Sequence, residues 1–130
     1  MAPAVTDLNR PFWTGGAEGK LLIQRCSGCG RWVHPPVSGC TACGTSELRP
    51  EPVSGRGTVF TFTVNRHPFN PAVPVPYVIA LVELEEQADL RLTTNIVNCP
   101  VDDVTVGMPV QVLFEKQDDL YIPLFEPRPA

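Results

Sequence analysis

The sequence predicts a mainly β protein: a short N-terminal helix, a rubredoxin-like zinc ribbon, then a five-stranded barrel of the oligonucleotide/oligosaccharide-binding (OB) type. Three observations predict it. Fifteen prolines and ten glycines in 130 residues cut the chain into pieces too short for long helices. Beyond residue 55, short β-branched and aromatic runs recur between turn signals. Between residues 25 and 50, four cysteines stand as two Cys-x-x-Cys pairs.

Residues 7–24 hold the best helical pattern, with Asp7 as a candidate cap and an apolar stripe of Leu8, Phe12 and Trp13. Gly15, Gly16 and Gly19 weaken it, so such a helix needs tertiary or intermolecular packing to persist. That is a first pointer to a partner. The expected divisions are a helical segment 1–24, a ribbon 25–50 and a barrel 51–130, with Pro50, Pro52 and Gly55 separating the last two. Thr58 to Val64 alternates, with Phe60, Phe62 and Val64 on one face and Val59, Thr61 and Thr63 on the other. Tyr77 to Val82 is continuously apolar, as in a strand covered on both faces. Leu90, Leu92, Thr94 and Ile96 form a further face, as do Val110, Val112 and Phe114, and Leu120 to Phe125 supplies the fifth strand. A closed barrel removes the open edges that a flat sheet of such strands would leave. Because these strands carry their own alternating core, the barrel is expected to fold without the ribbon.

Cys26, Cys29, Cys40 and Cys43 are the candidate metal ligands, binding one structural ion per chain, and zinc is the ion expected. Iron fits four thiolates too and would point to electron transfer. Gly30 and Gly44 follow the second cysteine of each pair and permit the positive φ that turns backbone amides toward the sulfurs. Four thiolates close the zinc shell, so the site is read as structural and no catalytic residue is assigned. Cys99 stands alone beside Pro100 and reads as a small packed filler. His34 reads as a packing or surface residue, and Glu83, Glu85 and Glu86 as a solvated acidic turn. His67 opens a proline-stiffened loop that runs through Phe69 to Pro76, and no nucleophile or carboxylate at a suggestive spacing accompanies it.

The net charge of −4 and the presence of only two lysines weigh against a nucleic-acid partner, the reading that ribbons and OB barrels otherwise invite. No run reaches the roughly 20 apolar residues of a membrane span. The first twenty residues contain Asp7, Arg10, Glu18 and Lys20, so no secretion leader is expected and a cytoplasmic location is.

Taken in order, several motifs resemble the DUF35 family of zinc-ribbon and OB-fold proteins associated with acyl-CoA metabolism. They are Arg10-Pro11-Phe12-Trp13, Gln24-Arg25-Cys26-x-x-Cys29-Gly30, Pro35-Pro36, Cys40-x-x-Cys43-Gly44, Ser54-Gly55-Arg56-Gly57-Thr58-Val59, Pro76-Tyr77 and Gly107-Met108-Pro109-Val110. Gly15-Gly16 departs from the better helix formers of that family and bears on the length of the first helix. The resemblance implies a non-catalytic accessory subunit of a thiolase-like enzyme acting on CoA thioesters, in a hetero-oligomer. A retro-aldolase of steroid side-chain degradation leads, and an acetyl-CoA acetyltransferase or other acyl-transfer complex is the alternative. In the steroid systems a hotdog-fold enoyl-CoA hydratase is a further partner. The chain shows no hydratase region, which suits either a stand-alone member or one domain of a longer protein. Phe12, Trp13, His67, Phe69 and Tyr77 are the candidate residues for the partner surface or the acyl-CoA passage.

Overall fold

The computed structural model describes residues 6, 7, 9–34, 36–40, 44, 47–67 and 75–128. A helix α1 (Arg10–Thr14) runs into a 3-10 turn (Gly15–Glu18), and strand β1 (Leu21–Cys26) follows. β2 (Trp32–Val33) and β3 (Leu48–Val53) flank β1 in a three-stranded antiparallel sheet of order β2-β1-β3. The barrel comprises β4 (Arg56–Asn65), β5 (Tyr77–Leu84), β6 (Arg91–Ile96), β7 (Pro109–Gln117) and β8 (Leu120–Pro127), closed in the order β4-β5-β6-β8-β7. All its pairings are antiparallel except β6 with β8, where Ile96 opposite Phe125 is the one paired position.

The helical pattern over 7–24 is realised only to Glu18. Gly19 adopts φ +71 and ends the turn, and Leu21 and Ile23 then alternate into the core as a strand. The glycines before it are required by packing. A Cβ on Gly16 would lie 2.5 Å from Tyr121 Cβ and 2.6 Å from a Phe114 ring carbon, and one on Gly15 would lie 2.5 Å from the Lys20 carbonyl oxygen. The bare backbone therefore lets the turn sit directly on the β7–β8 hairpin.

Two strands differ from their predicted faces. β4 shifts register between Val59 and Thr61, which turns Val59 into the core and leaves Phe60 43% exposed, while Phe62 and Val64 pack on the core again. A bulge adds a residue to one strand, so strict alternation cannot continue through it. The Arg91 guanidinium lies 3.7 Å from the centre of the Phe60 ring and covers one side of it. In β5, Val78, Ala80, Val82 and Leu84 are buried but Tyr77, Ile79 and Leu81 are half-exposed, so this strand is covered on one face only.

The core does not respect the division expected near residue 50. Phe12 of α1 and Leu21 and Ile23 of β1 join Val59, Val82, Leu92, Val110 and Phe125 in one cluster. Each such side chain contributes about 1.5–3 kcal/mol through burial. Helix, ribbon base and barrel thus share one core. No helix among the described residues is long and apolar enough to cross a membrane.

Candidate metal centre and partner face

Cys26 ends β1, Cys29 lies in the turn after it, and Cys40 belongs to the return segment before β3. Their sulfurs all lie within 4.8 Å of one another, and no disulfide joins them. Cys29 Sγ and Cys40 Sγ are 3.8 Å apart. A tetrahedral ion with bonds of about 2.3 Å to sulfur has edges of about 3.8 Å, so this spacing is that of two ligands to one zinc. The Cys29 N–H donates to Cys26 Sγ at 3.4 Å, which stabilises thiolate charge.

Gly30 and Gly44 take the positive φ expected of them, +77 and +79. Their amides close on the carbonyls of Cys26 and Cys40, both at 2.8 Å, and not on the sulfurs. The two hydrogen bonds match, one beside each cysteine pair. Cys43, the expected fourth ligand, lies outside the described residues. The three sulfurs fit zinc, which here would cross-link the two knuckles.

Among the partner-face candidates, Phe12 is 8% exposed, with the His34 and Trp13 rings each 4.8 Å away. It packs mainly into the core, and its exposed edge lines the same cleft as Trp13. Trp13 is half-buried and lines a cleft of about 90 Å³ along the β6–β8 seam, with Thr93, Asn95, Ile122 and Leu124. Its Nε1 is buried with no acceptor among the described residues. His67 is exposed just beyond β4, its N–H donating to Asn65 Oδ1 at 3.2 Å, and Tyr77 is half-exposed opposite Asn65. His67 and Tyr77 therefore share one barrel end, while Trp13 sits over the seam. Phe69 lies outside the described residues.

Burial lowers the His34 pKa to about 4, so the ring is neutral at physiological pH. Cys99 packs partly against the core, and burial followed by the Asp103 charge raises its pKa, as befits a filler. The cleft at the seam was not visible in the sequence, because it forms where α1 meets β6 and β8, elements far apart along the chain.

A cysteine-knuckle ribbon built onto the same core as an OB barrel defines the class: zinc-ribbon/OB proteins. Residues 13–49 match the family profile described as the ChsH2 rubredoxin-like zinc ribbon domain, and residues 50–115 match that of the ChsH2 C-terminal OB-fold domain. The chain belongs to the DUF35 family. It is 38% identical over 98 residues to a DUF35 domain-containing scaffold protein of Methanocaldococcus jannaschii, covering 74% of this chain and 68% of that one. It is 37% identical over 127 residues, 98% of its length, to the 3-oxo-4,17-pregnadiene-20-carboxyl-CoA hydratase alpha subunit of Mycobacterium tuberculosis. A probable enoyl-CoA hydratase alpha subunit of Thermomonospora curvata is 37% identical over 126 residues, 96% of this chain. The chain spans 40% and 39% of the lengths of those two hydratase subunits. A chain of the solved structure described as the Ltp2-ChsH2(DUF35) aldolase superposes with a TM-score of 0.85 at 38% identity, over 97% of this chain and 98% of that one.

Proposed function

We propose that this protein is a zinc-binding accessory subunit of a thiolase-like enzyme acting on CoA thioesters, and that the reaction is a retro-aldol cleavage in steroid side-chain degradation. The observation that carries this reading is the near end-to-end superposition on a chain of an aldolase complex. The hydratase named for the mycobacterial relative acts on a steroid-derived CoA thioester, which supports the same substrate class. One zinc on Cys26, Cys29, Cys40 and Cys43 would be coordinatively closed and would serve folding. The subunit then contributes shape and contacts, and the carbon–carbon chemistry belongs to its partner. A cytoplasmic location fits, since a thiolate site of this kind needs a reducing compartment.

Trp13 is the contact we assign to the partner. Its half-buried ring lines the seam cleft, where an apolar partner side chain can pack on it. A second reading is favoured by the hydratase alpha subunits among the relatives: the chain also associates with a hotdog-fold hydratase.

Producing the chain together with a thiolase-like protein tests the proposal. The complex is expected to cleave a steroid β-hydroxyacyl-CoA, and neither protein alone should do so. Trp13→Ala removes the ring from the cleft and should weaken the complex by about 2 kcal/mol. Cleavage by the isolated chain, or thiolysis as the only activity of the complex, would refute the aldolase-subunit reading.

A further inference from the structure

The β5–β6 turn, whose acidic residues read as solvated in the sequence, is tied to both neighbouring segments through exposed or half-buried contacts. The Trp32 N–H donates to Gln87 Oε1 at 3.0 Å, and Gln87 Nε2 donates to the Trp32 carbonyl at 2.9 Å. The side-chain amide thus makes the two bonds that a neighbouring strand's peptide would make to β2. Gln87 Nε2 also donates to Asp89 Oδ1 at 2.8 Å, and Asp89 pairs with Arg31. On its other side the turn holds the segment between ribbon and barrel. The Ser54 N–H donates to Glu86 Oε2 at 2.7 Å, and Arg56 donates to Glu85 at 2.8 Å.

These contacts lead straight to the knuckle. The Cys26 N–H donates to the Arg31 carbonyl at 2.8 Å, and Arg25 Nε donates to the Gly30 carbonyl at 3.0 Å. β2 itself is two residues long and pairs with β1 only at Gln24–Val33 and Arg25–Trp32. A strand that short has little stability of its own. Its place is set by the Cys29 knuckle just before it, by the return to Cys40 after it, and by the Gln87 clamp.

We infer that the β5–β6 turn is the joint through which metal bound in the ribbon steadies the adjoining end of the barrel, in addition to the core that the two parts share. The inference rests on the zinc reading above. Removing the ion frees the knuckle just before β2, and the partner of Gln87 is then held only from its other end, where Gln24 bonds the Val37 backbone and His34 packs on Phe12. Coupling of this kind is reciprocal: if zinc steadies the turn, the turn tightens zinc by the same factor. Two backbone hydrogen bonds are lost with the clamp, each with a modest net value, and together they correspond to about a tenfold change in zinc affinity.

Hydrogen exchange on the full chain, with zinc bound and with zinc withdrawn by a chelator, tests this directly. In the parent, withdrawal should speed exchange at residues 84–90 about tenfold more than in the β7–β8 hairpin, which reports the loss shared by the whole fold. Gln87→Ala should bind zinc about tenfold more weakly, and its turn should exchange at the fast rate whether or not zinc is present. A chain that takes up no zinc overturns the metal reading itself. A chain that binds zinc but whose turn exchanges at one rate in both states overturns the joint alone, as does a Gln87→Ala protein with the parent's zinc affinity. Should Gln87→Ala fail to fold, the parent comparison and Asp89→Asn, which discharges the Arg31 pair and keeps the clamp, decide the matter. Asp89→Asn should weaken zinc by less than the full tenfold, and an unchanged affinity would count against the joint.

Discussion

His34 follows β2, with its ring 4.8 Å from Phe12 and its Nδ1 buried without a partner among the described residues. Burial brings its pKa from 6.5 to about 4. Between those values the unfolded chain binds a proton that the folded chain refuses, so stability rises with pH across this window and is fully present above it. Between pH 7.5 and 5 the histidine should therefore cost the folded state roughly 2 kcal/mol. Cysteine protonation weakens zinc over the same range, so the informative quantity is a difference. Urea unfolding of the zinc-loaded parent and of His34→Leu should show the parent losing about 2 kcal/mol more than the variant on acidification. Parallel pH responses in the two proteins would mean that the histidine is hydrated in solution. Nothing in the sequence could separate this buried ring from a surface histidine, because the residue that covers it, Phe12, lies on another element.

At the scale of elements, the β strands were legible wherever one face is buried by near neighbours. Leu90, Leu92, Thr94 and Ile96 all face inward as their alternation predicts. The clustering of Cys26, Cys29 and Cys40 follows from a ligand spacing that is equally open to reading in the sequence. Reading failed where a distant contact decides. The bulge that turns Phe60 outward is invisible in an alternating run, and Gln87 grips Trp32 from 55 residues away. Gly15 and Gly16 were read as helix breakers, when they are better understood as clearances for the β7–β8 hairpin. Gly16→Ala separates the two views, because alanine is the better helix former. Propensity alone predicts a gain of up to about 1 kcal/mol. A Cβ placed 2.5 Å from Tyr121 Cβ predicts a loss, about 1–3 kcal/mol as for other overpacked sites. Denaturant unfolding of the zinc-loaded variant decides by its sign, and the loss is expected.

For the whole molecule, the question is whether ribbon and barrel behave as two domains or one. The sequence favoured two, because prolines and a glycine separate them and the strands carry their own apolar faces. The packing favours one. Leu21 and Ile23, each 1% exposed, lie in β1, with two further strands before the barrel begins, and still belong to its core, and Phe12 joins them there. Arg31 and Trp32 are tied to the β5–β6 turn from the other side. Binding of a structural zinc is worth on the order of 10 kcal/mol, comparable to the total stability of a small domain. If the core is shared, that energy supports the barrel strands as well as the knuckles. Cys40→Ser, which removes one of the three clustered sulfurs, should then lower the thermal transition of the entire chain in a single step. Near-ultraviolet signals from Trp13 and Trp32 should melt together with the far-ultraviolet β signal. Elemental analysis should find zinc lost from the variant and present in the parent. A barrel transition that stays at the parent's temperature while the ribbon signal disappears would show two independent units, and would return the fold to the division that the sequence suggested.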